Sequence, residues 1–570
     1  MSAIDDHSVT CADRPFRVGD WQVEPTSGRI RQGGRSIKLE PRVMDLLVYL
    51  AGRPGRVITR AELETAVWAG RVVGYDALTG SMQKLRRALA DDARQPRIIE
   101  TLSKKGYRLL APVVMPAAAD PPADSSPDSP VSGVQRGNRS VHAGIAALGL
   151  LLVTAIAYFF YGPWRIADTT QDLGSTPASI AVLPFDNLGG DPEQEYFADG
   201  MTDDLITELA KIPDLFVIAR DSTFFYKGQP IDLHEVADKL RVRYILHGSV
   251  RRAGEQIRLN ARLTDAATGR HLWAERYDGM LNNVFALQDE ITRRILAALP
   301  ASMHTGDPPD APGRKTSSAA AYDYFLLGRD RFFRYASREE NRKARELYRQ
   351  AIALDPEYAL AYAMLAWTHV FDAMNGWSEV REQSLERGYT LAGRAITLDP
   401  NLPVAYFVTG LVYRERGEYL KALVEAEKAI ALDPNYANAH VLLATLFYYT
   451  GRPQEGLERI QKAMRLNPYH PYNYPFHLGQ AYFILGRYPE AIDAFRQGLA
   501  SNPSAERLHV WLAAACAQSG QSEDAEWEAE QILALNPDFS TERIRNSFPF
   551  KDPADLERFL EGLRLAGLSE

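Results

Sequence analysis

One predicted helix, from about Asp76 to Ala90, carries the side chains best suited to bind a large anion. Its apolar residues recur every three or four positions, as in a helix buried along one stripe: Leu78, Met82, Leu85 and Leu89. At about 100° per residue, the opposite face and its flank hold Thr79, Gly80, Gln83, Lys84, Arg86 and Arg87. Amide and cationic groups suit base edges and phosphates in a DNA groove. A solvated cationic face is the alternative interpretation.

The elements around this helix must hold it in place. Short apolar runs between Gly turns from Phe16 to Leu39 predict a small antiparallel sheet. Pro41 begins a first helix, and Thr59 caps a second one with Glu62 as its capping-box partner. Two strands around a basic turn follow the third helix. Residues 14–112 hold 19 Lys and Arg against 10 Asp and Glu, although the whole chain has a net charge of −8. Such a basic block favours a nucleic-acid partner.

The order of these motifs resembles the OmpR/PhoB-type winged helix-turn-helix domain, and especially its membrane-anchored ToxR- and CadC-like branch. The resemblance covers residues 14–112 and rests on L-x4-W from Leu63, DALTGSMQKLRRAL, DDARQP and IIETLSKKGYRLL. It implies that double-stranded DNA is the partner and that the third helix enters the major groove. The groove-contacting residues would then be Thr79, Gln83, Lys84 and Arg87.

The same resemblance assigns the remaining candidate DNA-binding residues. Arg86 either contacts a phosphate or braces the fold. The wing beside the groove would consist of Lys104, Lys105, Tyr107 and Arg108. Tyr107 is either a phosphate contact or a core aromatic. Only about 13 residues precede the domain, which is too few for a receiver domain.

A long apolar stretch follows the basic block. Residues 141–161 carry no formal charge, and as a helix they would cover about 31 Å, the thickness of a bilayer core. They predict a single transmembrane helix after a flexible linker at residues 113–140, which is rich in Pro, Ser, Ala and Asp. Because a DNA-binding head must share a compartment with DNA, we expect a bacterial inner-membrane protein with a cytoplasmic N-terminus and a periplasmic C-terminal part. The lipid bilayer is then a second partner.

Residues 178–300 alternate apolar strands with helical patterns and predict an α/β domain. The phrases IAVLPFDNL, YFADGMTDDLITELAKI and YILHGSVRR resemble the TolB-like module. Asp199, Asp203 and Asp204 are interpreted as acids at a helix N-terminus rather than as a metal or catalytic cluster. No phosphate-binding loop, HExxH or GxSxG motif occurs. We therefore expect no catalytic residues, no cofactor and no metal, and a protein that is not an enzyme.

From residue 319 to 540 the chain is periodic. Prolines close similar phrases at positions 356, 400, 434, 468, 503 and 537, and small residues stand at fixed distances before them. This pattern resembles the tetratricopeptide repeat, whose stacked helix pairs offer a groove to proteins or peptides. Residues 541–570 are expected to form a C-terminal capping helix.

The predicted fold class is therefore multidomain: a winged helix-turn-helix, a single transmembrane helix, an α/β module and an all-α repeat solenoid. The predicted function is a one-component transcription regulator that binds DNA with its head and senses a ligand or protein through its α/β and repeat parts. A homodimer on DNA is the expected active form, because pairing two heads raises avidity. The alternative is an envelope scaffold that uses its repeats to assemble partner proteins.

Overall fold

The computed structural model describes residues 15–59, 62–63, 66–67, 75–91, 96–102, 106–114, 179–299, 316–334, 337–545 and 548–568. The linker at 113–140 falls almost wholly outside these ranges, and so do Lys104 and Lys105. The side chains of Thr79 and Gln83 are also outside the description, although the backbone of their helix is within it.

The N-terminal part begins with strands β1 (Phe16–Val18), β2 (Trp21–Glu24), β3 (Arg29–Gln32) and β4 (Arg35–Lys38). They form an antiparallel meander, and β8 (Val113–Val114) completes the sheet in the order β4-β3-β2-β1-β8. Helices α1 (Pro41–Ala51) and α2 (Tyr75–Ala88) pack on each other, and Thr59 Oγ1 accepts a hydrogen bond from the Glu62 amide at 3.2 Å, as a capping residue does. The antiparallel sheet predicted from residues 16–39 is therefore present.

A second small sheet in this part has the order β5-β7-β6, from β5 (Val57–Ile58), β6 (Ile99–Leu102) and β7 (Gly106–Leu109). Gly106, with φ +134°, begins β7, and a Cβ there would lie 2.0 Å from the Ile58 carbonyl oxygen. Only glycine fits, because any side chain would collide with the backbone of β5. This close approach packs the start of β7 directly against the end of β5.

The α/β part contains β9 (Ser179–Val182), β10 (Asp186–Asn187), β11 (Phe216–Val217), β12 (Tyr244–Ala253), β13 (Gln256–Asp265) and β14 (Arg270–Met280). The main sheet order is β11-β9-β12-β13-β14, parallel at its first three strands and antiparallel at its last three. The helices of this part are α3 (Glu195–Ala210), α4 (Arg220–Phe224), α5 (Leu233–Leu240) and α6 (Val284–Ala298).

The repeat part consists of successive antiparallel helix pairs. They are α7 (Ala319–Arg334) and α8 (Arg338–Leu354), α9 (Ala359–Met374) and α10 (Arg381–Leu398), α11 (Pro403–Glu415) and α12 (Tyr419–Leu432), α13 (Ala437–Tyr449) and α14 (Pro453–Leu466), α15 (Asn473–Ile484) and α16 (Tyr488–Ser501), and α17 (Glu506–Gln518) and α18 (Ser522–Leu535). Two helices follow, α19 (Thr541–Arg545) and α20 (Pro553–Leu565). Each second helix ends at the residue directly before an Asp-Pro or Asn-Pro pair, because proline cannot continue a helix.

The prediction of a membrane span requires a correction. Within the described ranges, no helix has both the length and the apolar character needed to cross a bilayer. The longest, α10, has 18 residues and includes five charged side chains, since its apolar residues need only cover one face of a helix pair. The fold class with a transmembrane helix, and the inner-membrane localisation that depended on it, are therefore not retained. The stretch at 141–161 lies outside the described residues.

Candidate nucleic-acid interface and interdomain cavity

Helix α2 is fixed by its apolar stripe. Leu78, Met82, Leu85 and Leu89 are all at most 2% exposed, as their spacing predicts. The indole nitrogen of Trp21 donates to the Leu89 carbonyl at 3.1 Å and ties the end of the helix to the first sheet. The burial of this stripe determines which face of α2 points away from the core.

Two of the predicted groove residues on that opposite face are described with their side chains. The Lys84 ammonium contacts the Glu40 carboxylate and the Pro503 carbonyl, and lies 3.3 Å from His509 Nε2. The Arg87 guanidinium donates to the Ala534 carbonyl at 3.1 Å and is exposed. Both side chains therefore contact the last repeats here, and a duplex could meet them only after these contacts open.

Arg86 has a bracing role in this structure. One of its guanidinium nitrogens donates to the Ile99 carbonyl at 3.0 Å and to Thr101 Oγ1 at 2.7 Å, so it connects α2 to β6. Its Nε lies 4.0 Å from a carboxylate oxygen of Asp91, and its side chain is only 11% exposed. Of the two roles left open for Arg86, the geometry favours bracing over a phosphate contact.

Asp91 is a positioning residue that the sequence analysis missed. Its carboxylate accepts hydrogen bonds from the amides of Arg97, Ile98 and Ile99 at 2.7, 3.0 and 2.9 Å. These bonds fix the start of β6 beside the end of α2. The only sequence signal is an acid directly after the helix, which is too common to identify such a role.

The described part of the wing is β6 and β7. Tyr107 pairs with Thr101 and is half-buried against the N-terminal core, which favours its role as a core aromatic. The Arg108 guanidinium forms an ion pair with Glu100, with Nε 2.8 Å and Nη2 2.5 Å from the same carboxylate oxygen. Glu100 therefore offsets the charge of Arg108, whereas the other two predicted wing cations, Lys104 and Lys105, lie outside the described residues.

A second candidate site is a cavity of about 240 Å³ where the α/β part packs against the repeats. Three side chains from loops of the repeat part hold this boundary together. The Asn435 amide donates to the carbonyls of Ala210 and Leu215 at 2.9 and 2.8 Å and accepts from the Val217 amide. Nearby, Ser222 donates to Asn467 at 2.5 Å, and the Tyr226 and Tyr469 hydroxyls are 2.9 Å apart.

Arg329 neutralises two of the acids that line this cavity. Its guanidinium lies 3.2 Å from the Asp203 carboxylate and 2.7 Å from that of Asp204. Burial opposes the cation, yet the Asp204 and Asp203 carboxylates hold the pKa of Arg329 above its ordinary value. The interpretation of these acids as helix N-terminal groups is wrong, because α3 begins at Glu195 and both lie well inside it.

Two further acids of the cavity, Asp399 and Asp433, are 7% exposed. Each accepts a hydrogen bond from the amide two residues on, at 2.9 Å. Neither carboxyl takes part in an ion pair among the described residues, although the positive charge of Lys211 acts on Asp433 against the effect of burial. Burial raises the pKa of Asp433 to about 7. With Trp367 and Tyr436 also in the lining, the cavity combines aromatic rings with two carboxyl groups that form no described ion pair. Once Asp433 has lost its proton, above about pH 7, this combination suits an organic cation. The described residues include no cluster of metal-ligating side chains.

Comparisons with known protein families match separate parts of the chain. Residues 34–109 match the family "Transcriptional regulatory protein, C terminal", and residues 176–294 match the second domain of HilA/YgeH-like transcriptional regulators. Residues 421–498 match subunit 3 of the anaphase-promoting complex, and residues 476–538 match a tetratricopeptide repeat. The TolB-like identity of the α/β part stays a prediction.

Similar proteins include the putative adenylate cyclase 3 of Rhizobium meliloti, which is 41% identical over 261 residues, or 46% of this chain and 43% of that protein. The transcriptional activator CadC of Escherichia coli is 26% identical over 386 residues, or 61% of this chain and 72% of CadC. The solved DNA-binding domain of E. coli CadC is 41% identical, covers 18% of this chain and 96% of that domain, and has a TM-score of 0.17. The chain thus joins an OmpR-like DNA-binding domain of transcriptional regulators to a HilA-like domain and tetratricopeptide repeats, and it is similar to CadC-like regulators.

Proposed function

We propose that the protein regulates transcription by binding double-stranded DNA through α2 and the wing. The observation that carries this proposal is the geometry of α2, whose buried stripe leaves a cationic face opposite the core. Thr79, Gln83, Lys84 and Arg87 contact base edges and phosphates of the major groove once the contacts of Lys84 and Arg87 with the last repeats have opened, while Lys104 and Lys105 contact the flanking backbone. Arg86, Tyr107 and Arg108 position these groups. DNA is the class of partner that needs cations and amides along one helix face.

The test of this proposal is a genome-wide map of the sites bound by the intact protein in its own cell. We expect discrete sites that share a sequence, and we expect Arg87→Ala to remove most of them. Arg35→Ala, which removes an exposed cation from β4 in the same domain, is the matched control and should leave the map unchanged. A map without shared sites, or one that Arg87→Ala leaves intact, would favour the alternative of an assembly scaffold.

The cavity between the α/β part and the repeats is the proposed binding site for the signal that controls the regulator. We infer that it binds a small effector with a cationic group, because the Asp399 and Asp433 carboxyls form no described ion pair and a bound cation would favour the ionised form of Asp433. The protein is then a one-component regulator without enzymatic activity, in which the repeats also bind a protein or peptide. The test compares primary amines with the matched alcohols in calorimetric titrations. We expect only the amines to bind, and only while Asp433 is present.

The Asp433 carboxyl gives a prediction about pH. It keeps its proton up to about pH 7 in the folded protein, against an ordinary value of 3.8. The folded state binds this proton more tightly than the unfolded state does, so below about pH 4 the bound proton makes its full contribution to the free energy of unfolding. That contribution is lost as the pH rises from about 4 to 7. The change is a few kcal/mol, since each tenfold preference for the proton is worth about 1.4 kcal/mol.

Urea denaturation at a series of pH values measures this effect. Asp433→Asn keeps an acceptor for the Asn435 amide and should flatten the fall of the unfolding free energy over that range. Glu458→Gln, which removes an exposed carboxylate, should leave the fall in place. An unchanged slope in Asp433→Asn would show that this carboxyl is not the titrating group.

A further inference from the structure

The last strand of the α/β sheet has one edge without a partner among the described residues. Strand β14 is 11 residues long and lies at the end of the sheet, where β13 is its one partner among the described strands. Its middle residues Ala274, Glu275 and Arg276 are exposed. An edge of this length presents a row of free backbone donors and acceptors to another strand.

The hairpin between β12 and β13 determines which residues of β14 direct their backbone N–H and C=O groups towards the free edge. Ala253 and Gln256 flank a two-residue turn, so they form a hydrogen-bonded pair. Because such pairs alternate along antiparallel strands, the backbone groups of Leu259 and Ala261 point towards β14. Their partners there are Tyr277 and Glu275. The alternate residues of β14, Ala274, Arg276, Asp278 and Met280, therefore point their backbone N–H and C=O groups away from β13, towards the free edge.

Charges on this edge select one way for two copies to pair. If Tyr277 lies on a two-fold axis, Arg276 of each copy stands opposite Asp278 of the other. Sliding the strands by two residues places Arg276 opposite Arg276, or Asp278 opposite Asp278, and such like-charge pairs are unfavourable. Both side chains are at least half exposed, at 56% and 50%, and within one chain Asp278 forms ion pairs with Arg276 and Arg258. Because exposed ion pairs are worth only about 0–1 kcal/mol, these side chains can exchange partners with a second strand.

We propose that β14 is a self-association edge, where a second copy of this chain pairs antiparallel in the register centred on Tyr277. The sheets of the two copies then form one continuous sheet, and the partner is this chain itself rather than an unrelated peptide. The pairing stands apart from the proposed DNA binding, since it can be measured without DNA. If both hold, the pair brings two DNA-binding heads together.

Disulfide crosslinking of the full chain tests the register. In a Cys11→Ser background, Cys516 remains but is fully buried. Tyr277→Cys places two thiols directly opposite each other at a non-hydrogen-bonded position, where Cβ atoms are close enough for a disulfide. We expect a covalent dimer under mild oxidation. Ala274→Cys is the matched control, because its symmetry mate would lie six residues away, roughly 20 Å along the strand, and we expect no dimer.

Exchanging the charges at positions 276 and 278 distinguishes the loss of strand pairing from misfolding of the variant. Arg276→Asp alone and Asp278→Arg alone each place like charges across the axis, so each should lose the dimer in sedimentation experiments. When the two variants are mixed, opposite charges face each other again at both positions, and a heterodimer should form. No crosslink through Tyr277→Cys, equal crosslinking through Ala274→Cys, or no dimer in the mixture would each overturn the proposal.

Discussion

Replacing Arg329 with methionine is expected to lower the free energy of unfolding by about 3–5 kcal/mol, the usual cost of removing one partner from a buried ion pair. Arg329 is 7% exposed, and its guanidinium also donates to the Gly200 carbonyl at 2.8 Å. Without it, Asp204 would have no cation at salt-bridge distance among the described residues, and buried Asp203 would keep only Arg220, whose Nε lies 3.7 Å away. Urea denaturation followed by tryptophan fluorescence measures the change, because Trp367 lines the same cavity.

The control for this variant lies two residues along α7. Arg331 has a side chain that is 44% exposed and is 3.5 Å from Glu340. Arg331→Met should change the unfolding free energy by about 0–1 kcal/mol, as is usual for an exposed ion pair. Adding Asp204→Asn to Arg329→Met should recover part of the loss, because it removes one stranded charge. Equal effects of Arg329→Met and Arg331→Met would mean that the buried pair does not hold the two parts together.

Replacing Arg87 with alanine is expected to weaken binding of the protein to its own DNA sites by about 1–3 kcal/mol, the usual cost of losing a side chain that contacts a base edge. This corresponds to a loss of roughly 5- to 150-fold in affinity. Arg87 is exposed, and its one described hydrogen bond inside the protein is to a carbonyl, so the substitution should leave the fold intact. Electrophoretic mobility shifts with mapped sites provide the measurement.

Arg86→Ala distinguishes a side chain that contacts DNA from one that stabilises the domain, both of them in α2. Because Arg86 connects α2 to β6 through Ile99 and Thr101, its loss should lower the melting temperature of the N-terminal part as well as the affinity. Arg87→Ala should lower the affinity alone. If Arg86→Ala left the melting temperature unchanged while it abolished binding, the phosphate-contact role would replace the bracing role.

Elements with a clear period were predictable from the sequence. The stripe from Leu78 to Leu89 predicted α2 within two residues at its C-terminal end, and the proline spacing predicted helix pairs that the structure contains. The winged helix and the repeat solenoid are confirmed by the family matches as well. These features depend on local pattern, because an apolar or polar residue type indicates whether that position faces the core or the solvent.

Contacts between distant parts of the chain could not be predicted. Asp204 and Arg329 are 125 residues apart, and nothing in either local pattern identifies the other. Asn435 directly follows one of the prolines that close the repeats, and that pattern does not predict that its amide donates to the Ala210 carbonyl of the α/β part. Side-chain roles of this kind depend on which surfaces meet in the folded chain.

The salt dependence of DNA binding by the intact protein tests the central claim most directly. Because each neutralised phosphate releases counterions, the logarithm of the binding constant should fall linearly with the logarithm of salt concentration, with a slope of about −0.9 for each contact. Lys105→Ala, at the predicted wing turn, should make that slope shallower by about 1 and weaken binding to all sequences alike. Binding that is insensitive to salt, or no binding to any mapped duplex, would contradict the assignment of α2 and the wing as a DNA-binding surface.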